Sequence, residues 1–164
     1  MEASLKLWNQ YVKVYDFSAQ EIADQLTSRG HEVEGMHVFA RGDKLVVGYV
    51  KEKVPHPDSD HLNVCQVEVG NGVTQQIVCG APNVAAGQKV IVALPGCDLG
   101  EGFKIKEAKI RGVESNGMIC SIAELGIDQR LLREEDKAGI HVLDADAPVG
   151  EDALKYMGYD DTIL

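Results

Sequence analysis

The run LVVGYVKEKV, from Leu45 to Val54, decides the fold class of this chain. Val46, Val50 and Val54 fall on one parity of the run and are all apolar, which is typical of a strand with one buried face. Gly48 lies near the middle, where a missing side chain permits a bulge or sharp coiling. The run therefore predicts a long strand that bends.

Further strand candidates follow this run, separated by the glycine, asparagine and proline residues that mark turns. They are Leu62–Val69, Gln75–Cys79, Lys89–Leu94 and Phe103–Arg111. Five strands in about seventy residues, with a long bent strand first, are typical of a small closed barrel of the OB type. With helical patterns on both sides, the sequence predicts an α+β fold built on a five-stranded OB-type β-barrel.

The last strand candidate carries two apolar pairs that would face opposite sides of a regular strand. One pair is Phe103 with Ile105, and the other is Ala108 with Ile110. An uninterrupted strand would turn one of the pairs to solvent. A bulge near Glu107 would bury both pairs and align the four cations of the strand on the outer face. These cations are Lys104, Lys106, Lys109 and Arg111. We expect this basic face to contact RNA phosphates; the alternative is an ordinary solvated strand.

Helical signals flank the barrel. Ser18 and Glu21 have the spacing of a capping box, and Gly30 supplies a C-terminal stop, so we expect a helix between them. After the barrel, Gly139–Leu143 predicts a short strand and Gly150–Met157 a terminal helix.

The net charge is −10, from 16 basic and 26 acidic residues. A general nucleic-acid coat protein gains affinity by neutralising phosphates, so this balance argues against one. Between residues 41 and 127, nine basic residues nearly balance ten acidic ones, which leaves room for a local basic patch. No apolar run is as long as a membrane span and no signal peptide begins the chain, so we expect a cytoplasmic protein.

Catalytic and metal-binding functions have little support. The four cysteines lack C-x-x-C spacing, and we expect buried, reduced thiols. Cys79 lacks a histidine base and an orienting carboxylate at a recognisable spacing, so we assign no catalytic residue. One loop holds four metal-donor side chains, but its proline and Asp-Ser-Asp cluster equally describe a tight turn, and we expect no metal site. These donors are His56, Asp58, Asp60 and His61.

Three strings, taken in order, are specific enough to indicate a family. They are HPDSDHL at residues 56–62, QIVCGAPNV at 76–84 and KIRGVESNGMICS at 109–121. Together they resemble the tRNA-binding OB domain of the endothelial-monocyte-activating-polypeptide-like proteins. The flanks LTSRGHEVEG at 26–35, GI at 139–140 to APVG at 147–150, and residues 156–161 resemble the N-terminus of the bacterial phenylalanine–tRNA ligase β subunit.

The resemblance implies an organisation in which the OB domain, residues 41–150, is inserted into a host domain of residues 1–40 and 151–164 that is incomplete at its C-terminal end. It implies a cytoplasmic α2β2 enzyme that uses ATP and magnesium, with aminoacylation on the α subunit and proofreading later in β. This segment would then hold no catalytic centre and no cofactor. Ser115 and Asn116 would lie beside the RNA surface as polar contacts.

The expected function is therefore an auxiliary contact for phenylalanine-specific tRNA, within a synthetase made of the α subunit and the remainder of β. Four phosphate contacts give a salt slope of roughly −3, which suits an auxiliary rather than a primary site. Two alternatives stay open: a free-standing tRNA-binding OB protein, and a module that only supports the quaternary structure of the synthetase.

Overall fold

The computed structural model describes residues 1–40, 42–100 and 102–164, and the chain forms two compact units. The smaller unit combines Met1–Ala40 with Gly158–Leu164, and the larger unit spans Arg41–Met157. In chain order the elements are α1 (Leu5–Trp8), α2 (Ala19–Ser28), β1 (His37–Val38), β2 (Leu45–Pro55), β3 (Asn63–Gly70), β4 (Val73–Cys79), β5 (Lys89–Ala93), β6 (Glu107–Ile110), β7 (Val113–Asn116), β8 (Met118–Ile119), 3₁₀ turns Ile122–Leu125 and Gln129–Leu131, α3 (Glu134–Ala138), β9 (Val142–Leu143), α4 (Ala153–Met157) and β10 (Thr162–Ile163).

The smaller unit confirms the predicted capping box. The Glu21 amide donates to Ser18 Oγ at 3.2 Å, and Glu21 Oε2 accepts from the Ser18 amide at 2.7 Å. These bonds satisfy amides that the first turn of α2 leaves unpaired. The two sequence segments of the unit are joined by the antiparallel pair β1–β10, in which His37 lies opposite Ile163. Within the described residues no helix is long and apolar enough to cross a membrane.

The larger unit is a curled half-barrel of antiparallel strands, which confirms an OB-type α+β fold. Its strand order is β4-β3-β2-β5-β8, with β9 also paired to β5. The long strand β2 pairs with β5 over Leu45–Tyr49 and with β3 over Tyr49–Pro55, so that it belongs to both halves of the curl. An added Cβ on Gly48 would lie 2.5 Å from Val92 Cγ2, so this position of β2 has no room for a side chain.

The core of the barrel is aliphatic, as the low aromatic content of 5% requires. Alternating residues of β2, β3, β4 and β5 meet inside it, and all four cysteines are buried as free thiols. Six residues of this core have no exposed surface: Val50, Cys65, Val67, Ile77, Val90 and Val92.

The predicted fifth strand is wrong in extent, and the bulge near Glu107 is not formed. Only Glu107–Ile110 is a strand, and it pairs in regular register with β7 as a separate hairpin. The residues before Glu107 do not continue this strand, because Ile105 exchanges backbone hydrogen bonds with Gly96 and Cys97 instead. Consequently Ile105 is buried, whereas Phe103 and Ile110 are 55% and 36% exposed.

The division of the structure differs from the boundary expected at residue 151, since residues 151–157 belong to the larger unit. The amide of Val47 donates to the Glu151 carbonyl at 2.9 Å, and the Gly150 amide donates to the Val47 carbonyl at 2.8 Å. Gly150 also crosses Gly70 so closely that a Cβ on Gly150 would lie 2.9 Å from Gly70 Cα. Backbone contact with β2 and β3 thus holds this segment on the barrel.

Candidate nucleic-acid interface

A cavity of about 790 Å³ opens on the larger unit beside the β6–β7 hairpin. We call it the hairpin cavity. The inward face of the hairpin, the segment after β4, the first 3₁₀ turn and the end of α3 surround it. Its apolar lining comprises Ala81, Pro82, Ala108, Ile110, Met118 and Ile140 among others. The cavity has the size and apolar lining of a small-ligand pocket.

Three lysines line the hairpin cavity: Lys104, Lys106 and Lys137. Lys104 and Lys106 are exposed, and neither makes an ion pair with any residue described in the structure. Lys137 reaches the cavity from α3 and lies 3.6 Å from the carboxylate of Glu134, which is itself 95% exposed. An exposed pair of this kind contributes little, so all three ammonium groups are available to an anion.

The expected common basic face is not formed. Ala108 and Ile110 line the cavity, so the alternation of side chains along a strand turns Glu107 and Lys109 to the opposite face of the hairpin. Glu114 lies directly across from Lys109 on that face. Lys109 is therefore placed between two glutamates, whereas Lys104 and Lys106 face the cavity.

Arg111 occupies the tip of the hairpin. It adopts a φ of 47° and Gly112 a φ of 82°, the two positive values that a tight two-residue hairpin turn requires. Its guanidinium donates from Nη1 to the Asp58 carbonyl at 3.0 Å. Beside it, buried His56 accepts from the Asp58 amide at Nδ1, so its Nε2–H donates to the Ile110 carbonyl at 2.9 Å. The loop of residues 56–62 thus fastens the hairpin tip.

The two histidine side chains of that loop also have partners within it or in the hairpin. Both ring nitrogens of His56 form hydrogen bonds with backbone groups. His61 Nδ1 lies 3.0 Å from Asp60 Oδ1, and both of these side chains are exposed. Across the residues that the structure describes, no group of three or more histidine, cysteine, aspartate or glutamate side chains is arranged to hold a metal ion.

Ser115 is buried, with 3% of its surface exposed. Its Oγ accepts a hydrogen bond from the Val78 amide at 3.0 Å, which ties β7 to β4. Asn116 is half-buried and lies opposite Glu107, on the face away from the cavity. Ser115 therefore lines the hairpin cavity as a buried residue, and Asn116 does not line it.

Replacing Ser115 by alanine is expected to destabilise the larger unit by about 1–3 kcal/mol, because the buried Val78 amide loses its acceptor. The affinity for tRNA should stay unchanged. Urea unfolding measures the stability and a tRNA titration measures the affinity. Ser28→Ala, at an exposed position of α2, is the control. A variant of unchanged stability that binds tRNA less well would show instead that the Ser115 hydroxyl contacts RNA.

Sequence reasoning assigned Phe103 to the core and missed its place in the site. The side chain is 55% exposed and lines the mouth of the hairpin cavity next to Lys104. The signal was present in the run Phe103-Lys104-Ile105-Lys106, because an aromatic residue beside cations is a pattern of single-stranded nucleic-acid binding. The sequence around Lys137 has no such signal, since only the fold brings this residue close to the hairpin cavity.

Two further titratable groups line the hairpin cavity. Desolvation raises the pKa of the Glu124 carboxyl, while a hydrogen bond from Ser121 Oγ, at 3.0 Å, acts in the opposite direction. Burial likewise raises the pKa of the Cys79 thiol. A protonated thiol is a poor nucleophile.

The comparison with known families agrees with this arrangement. A family model described as "Putative tRNA binding domain" matches residues 45–152, which include every residue lining the hairpin cavity. The chain belongs to this tRNA-binding domain family. Within a tRNA-binding domain, the lysines at the cavity have the charge that RNA phosphates require.

Curated relatives match the whole chain. It is 48% identical to the phenylalanine–tRNA ligase β subunit of Lactiplantibacillus plantarum and 47% identical to that of Bacillus subtilis, over 100% of this chain and 20% of each relative. The chain thus spans about one fifth of the length of these relatives and matches their N-terminal region. Among solved structures, the C-terminal domain of Plasmodium vivax p43 has a TM-score of 0.46 at 24% identity, covering 70% of this chain and 60% of that chain.

Proposed function

We propose that this tRNA-binding domain acts as the N-terminal tRNA-binding module of a phenylalanine–tRNA ligase β subunit. The observation that carries the proposal is the hairpin cavity, where Lys104, Lys106 and Lys137 gather in a chain whose net charge is −10. The family match and the whole-chain identity to β subunits support it.

Within this proposal Lys104 and Lys106 contact RNA phosphates, as expected from the sequence, and Lys137 has the same role. Lys109, Arg111 and Asn116 lie outside the cavity and would meet the RNA backbone only where it continues past the hairpin. The cavity binds few phosphates, so we propose an auxiliary contact with phenylalanine-specific tRNA rather than the principal one.

The parent enzyme would supply what this segment does not. We propose a cytoplasmic α2β2 complex in which aminoacylation, with ATP and magnesium, takes place outside these residues, and in which the α subunit and the rest of β are partners. In the same proposal the smaller unit belongs to the host domain into which the barrel is inserted.

A titration of this chain with phenylalanine-specific tRNA at several salt concentrations tests the function. We expect measurable binding with a salt slope of about −2 to −3, as three or four phosphate contacts give. Binding that is absent even at low salt would contradict the proposal, because an RNA site of this charge is strongest there.

A purely structural role in the synthetase is the second candidate, and one observation favours it. The smaller unit exposes several large apolar side chains, a feature of protein–protein contact surfaces. They include Leu7, Tyr11, Val12, Tyr15 and Phe17, each at least 50% exposed. If tRNA binding is absent, this candidate replaces the first.

A further inference from the structure

We infer that the hairpin cavity takes an unpaired nucleobase, stacked on Phe103, while the lysines at the cavity hold the neighbouring phosphates. The inference rests on the proposed RNA-binding function and adds to it the class of nucleotide that is bound. It assigns to Phe103 the role of stacking platform.

The first support is the position of Phe103. A phenylalanine with 55% of its surface exposed forgoes much of the stabilisation that burial gives. The apolar residues on either side of it in the sequence, Leu99 and Ile105, are both buried. The ring therefore lies at the cavity mouth, between two residues that are anchored in the core.

The second support is the pair of backbone hydrogen bonds made by the residue that carries the ring. The Phe103 amide donates to the Gly100 carbonyl at 2.9 Å, and the Phe103 carbonyl accepts from the Leu99 amide at 2.9 Å. The backbone of Lys104 then forms an isolated antiparallel β-bridge with that of Asp98. A platform fixed in this way loses little conformational freedom when a base stacks on it, so more of the stacking energy appears as affinity.

The third support is the composition of the cavity. Its walls are apolar side chains such as Pro82, Met118 and Ile140, which suit the flat face of a base, and its charged groups include three lysines and Glu124. An apolar side chain of a protein would fit the walls but gives the lysines no partner. An unpaired nucleotide satisfies both, because it joins a base to a phosphate.

Phe103→Ala is expected to weaken binding of a single-stranded oligonucleotide of about ten nucleotides by roughly 5- to 100-fold, the range that loss of one stacked base gives. The salt slope should stay the same, because no phosphate contact is removed. Binding of a duplex of equal length, which offers no unpaired base, should not change. Phe103→Trp should restore affinity, and its indole fluorescence should fall when the oligonucleotide binds.

Phe17→Ala is the matched control, since Phe17 is 58% exposed in the smaller unit and does not line the cavity. If wild-type and Phe103→Ala proteins bind the oligonucleotide equally, the stacking role is overturned while the RNA-binding function stands. If the wild-type protein binds no RNA at all, both fall. A loss of affinity with an altered salt slope would also contradict stacking, because it would show that the variant disturbs the lysines.

Discussion

Replacing Lys104, Lys106 and Lys137 together by alanine is expected to weaken tRNA binding by roughly 50-fold near physiological salt. Each lysine that neutralises a phosphate releases condensed counterions, and three such contacts with an unpaired strand account for a salt slope of about 2. The measurement is the dissociation constant at several salt concentrations, and the slope of the variant should be flatter than that of the wild-type protein by this amount.

The matched control removes the same charge elsewhere. Lys13, Lys51 and Lys155 are exposed and do not line the hairpin cavity, so their combined replacement by alanine should have a small effect. Lys109→Ala should also have a small effect, because Glu107 and Glu114 share its face of the hairpin. Equal losses in the two triple variants would show that affinity follows net charge and not the cavity.

Gly150→Ala is expected to destabilise the larger unit by about 3 kcal/mol, through two causes that a control separates. The φ of Gly150 is +89°, a region that costs a residue with a Cβ about 1–2 kcal/mol. The added Cβ would also lie 2.9 Å from Gly70 Cα, and overpacking against backbone costs about 1–3 kcal/mol more.

Gly87 supplies the control because its φ is +90° and a Cβ there meets nothing within 4 Å. Gly87→Ala should therefore cost only the backbone contribution, about 1–2 kcal/mol. Urea unfolding followed by far-ultraviolet circular dichroism gives both free energies of unfolding. If the two variants lose the same stability, the crossing of Gly70 and Gly150 does not hold residues 151–157 on the barrel.

The barrel strands and α2 were predictable because their signals are local. Alternation of apolar residues with a period of two places β2 to β5, and the Ser18–Glu21 capping box places the start of α2. Each signal concerns residues that contact each other within a few positions of sequence, or a face whose burial the pattern itself reports.

The hairpin cavity was not predictable to the same degree, because distant segments decide it. Phe103 and Ile105 are two positions apart and would face the same side of a strand. Backbone hydrogen bonds to earlier residues nevertheless leave Ile105 buried and Phe103 exposed. Their partners are Gly96, Cys97 and Leu99. Similarly, no pattern near Lys104 indicates that Lys137 reaches the same cavity from α3. The pairing of the backbone of residues 150–152 with β2 is likewise a contact between segments that are distant in the sequence.

The pairing of β1 with β10 has a consequence for the order of events during synthesis. His37 and Ile163 are partners although more than 120 residues separate them, and Ser4 forms a bridge to the same Ile163. A ribosome releases the first forty residues long before their strand partner, whereas most barrel contacts are complete once α4 has emerged. We therefore expect the half-barrel to fold first, and the smaller unit to complete its fold only once β10 has emerged.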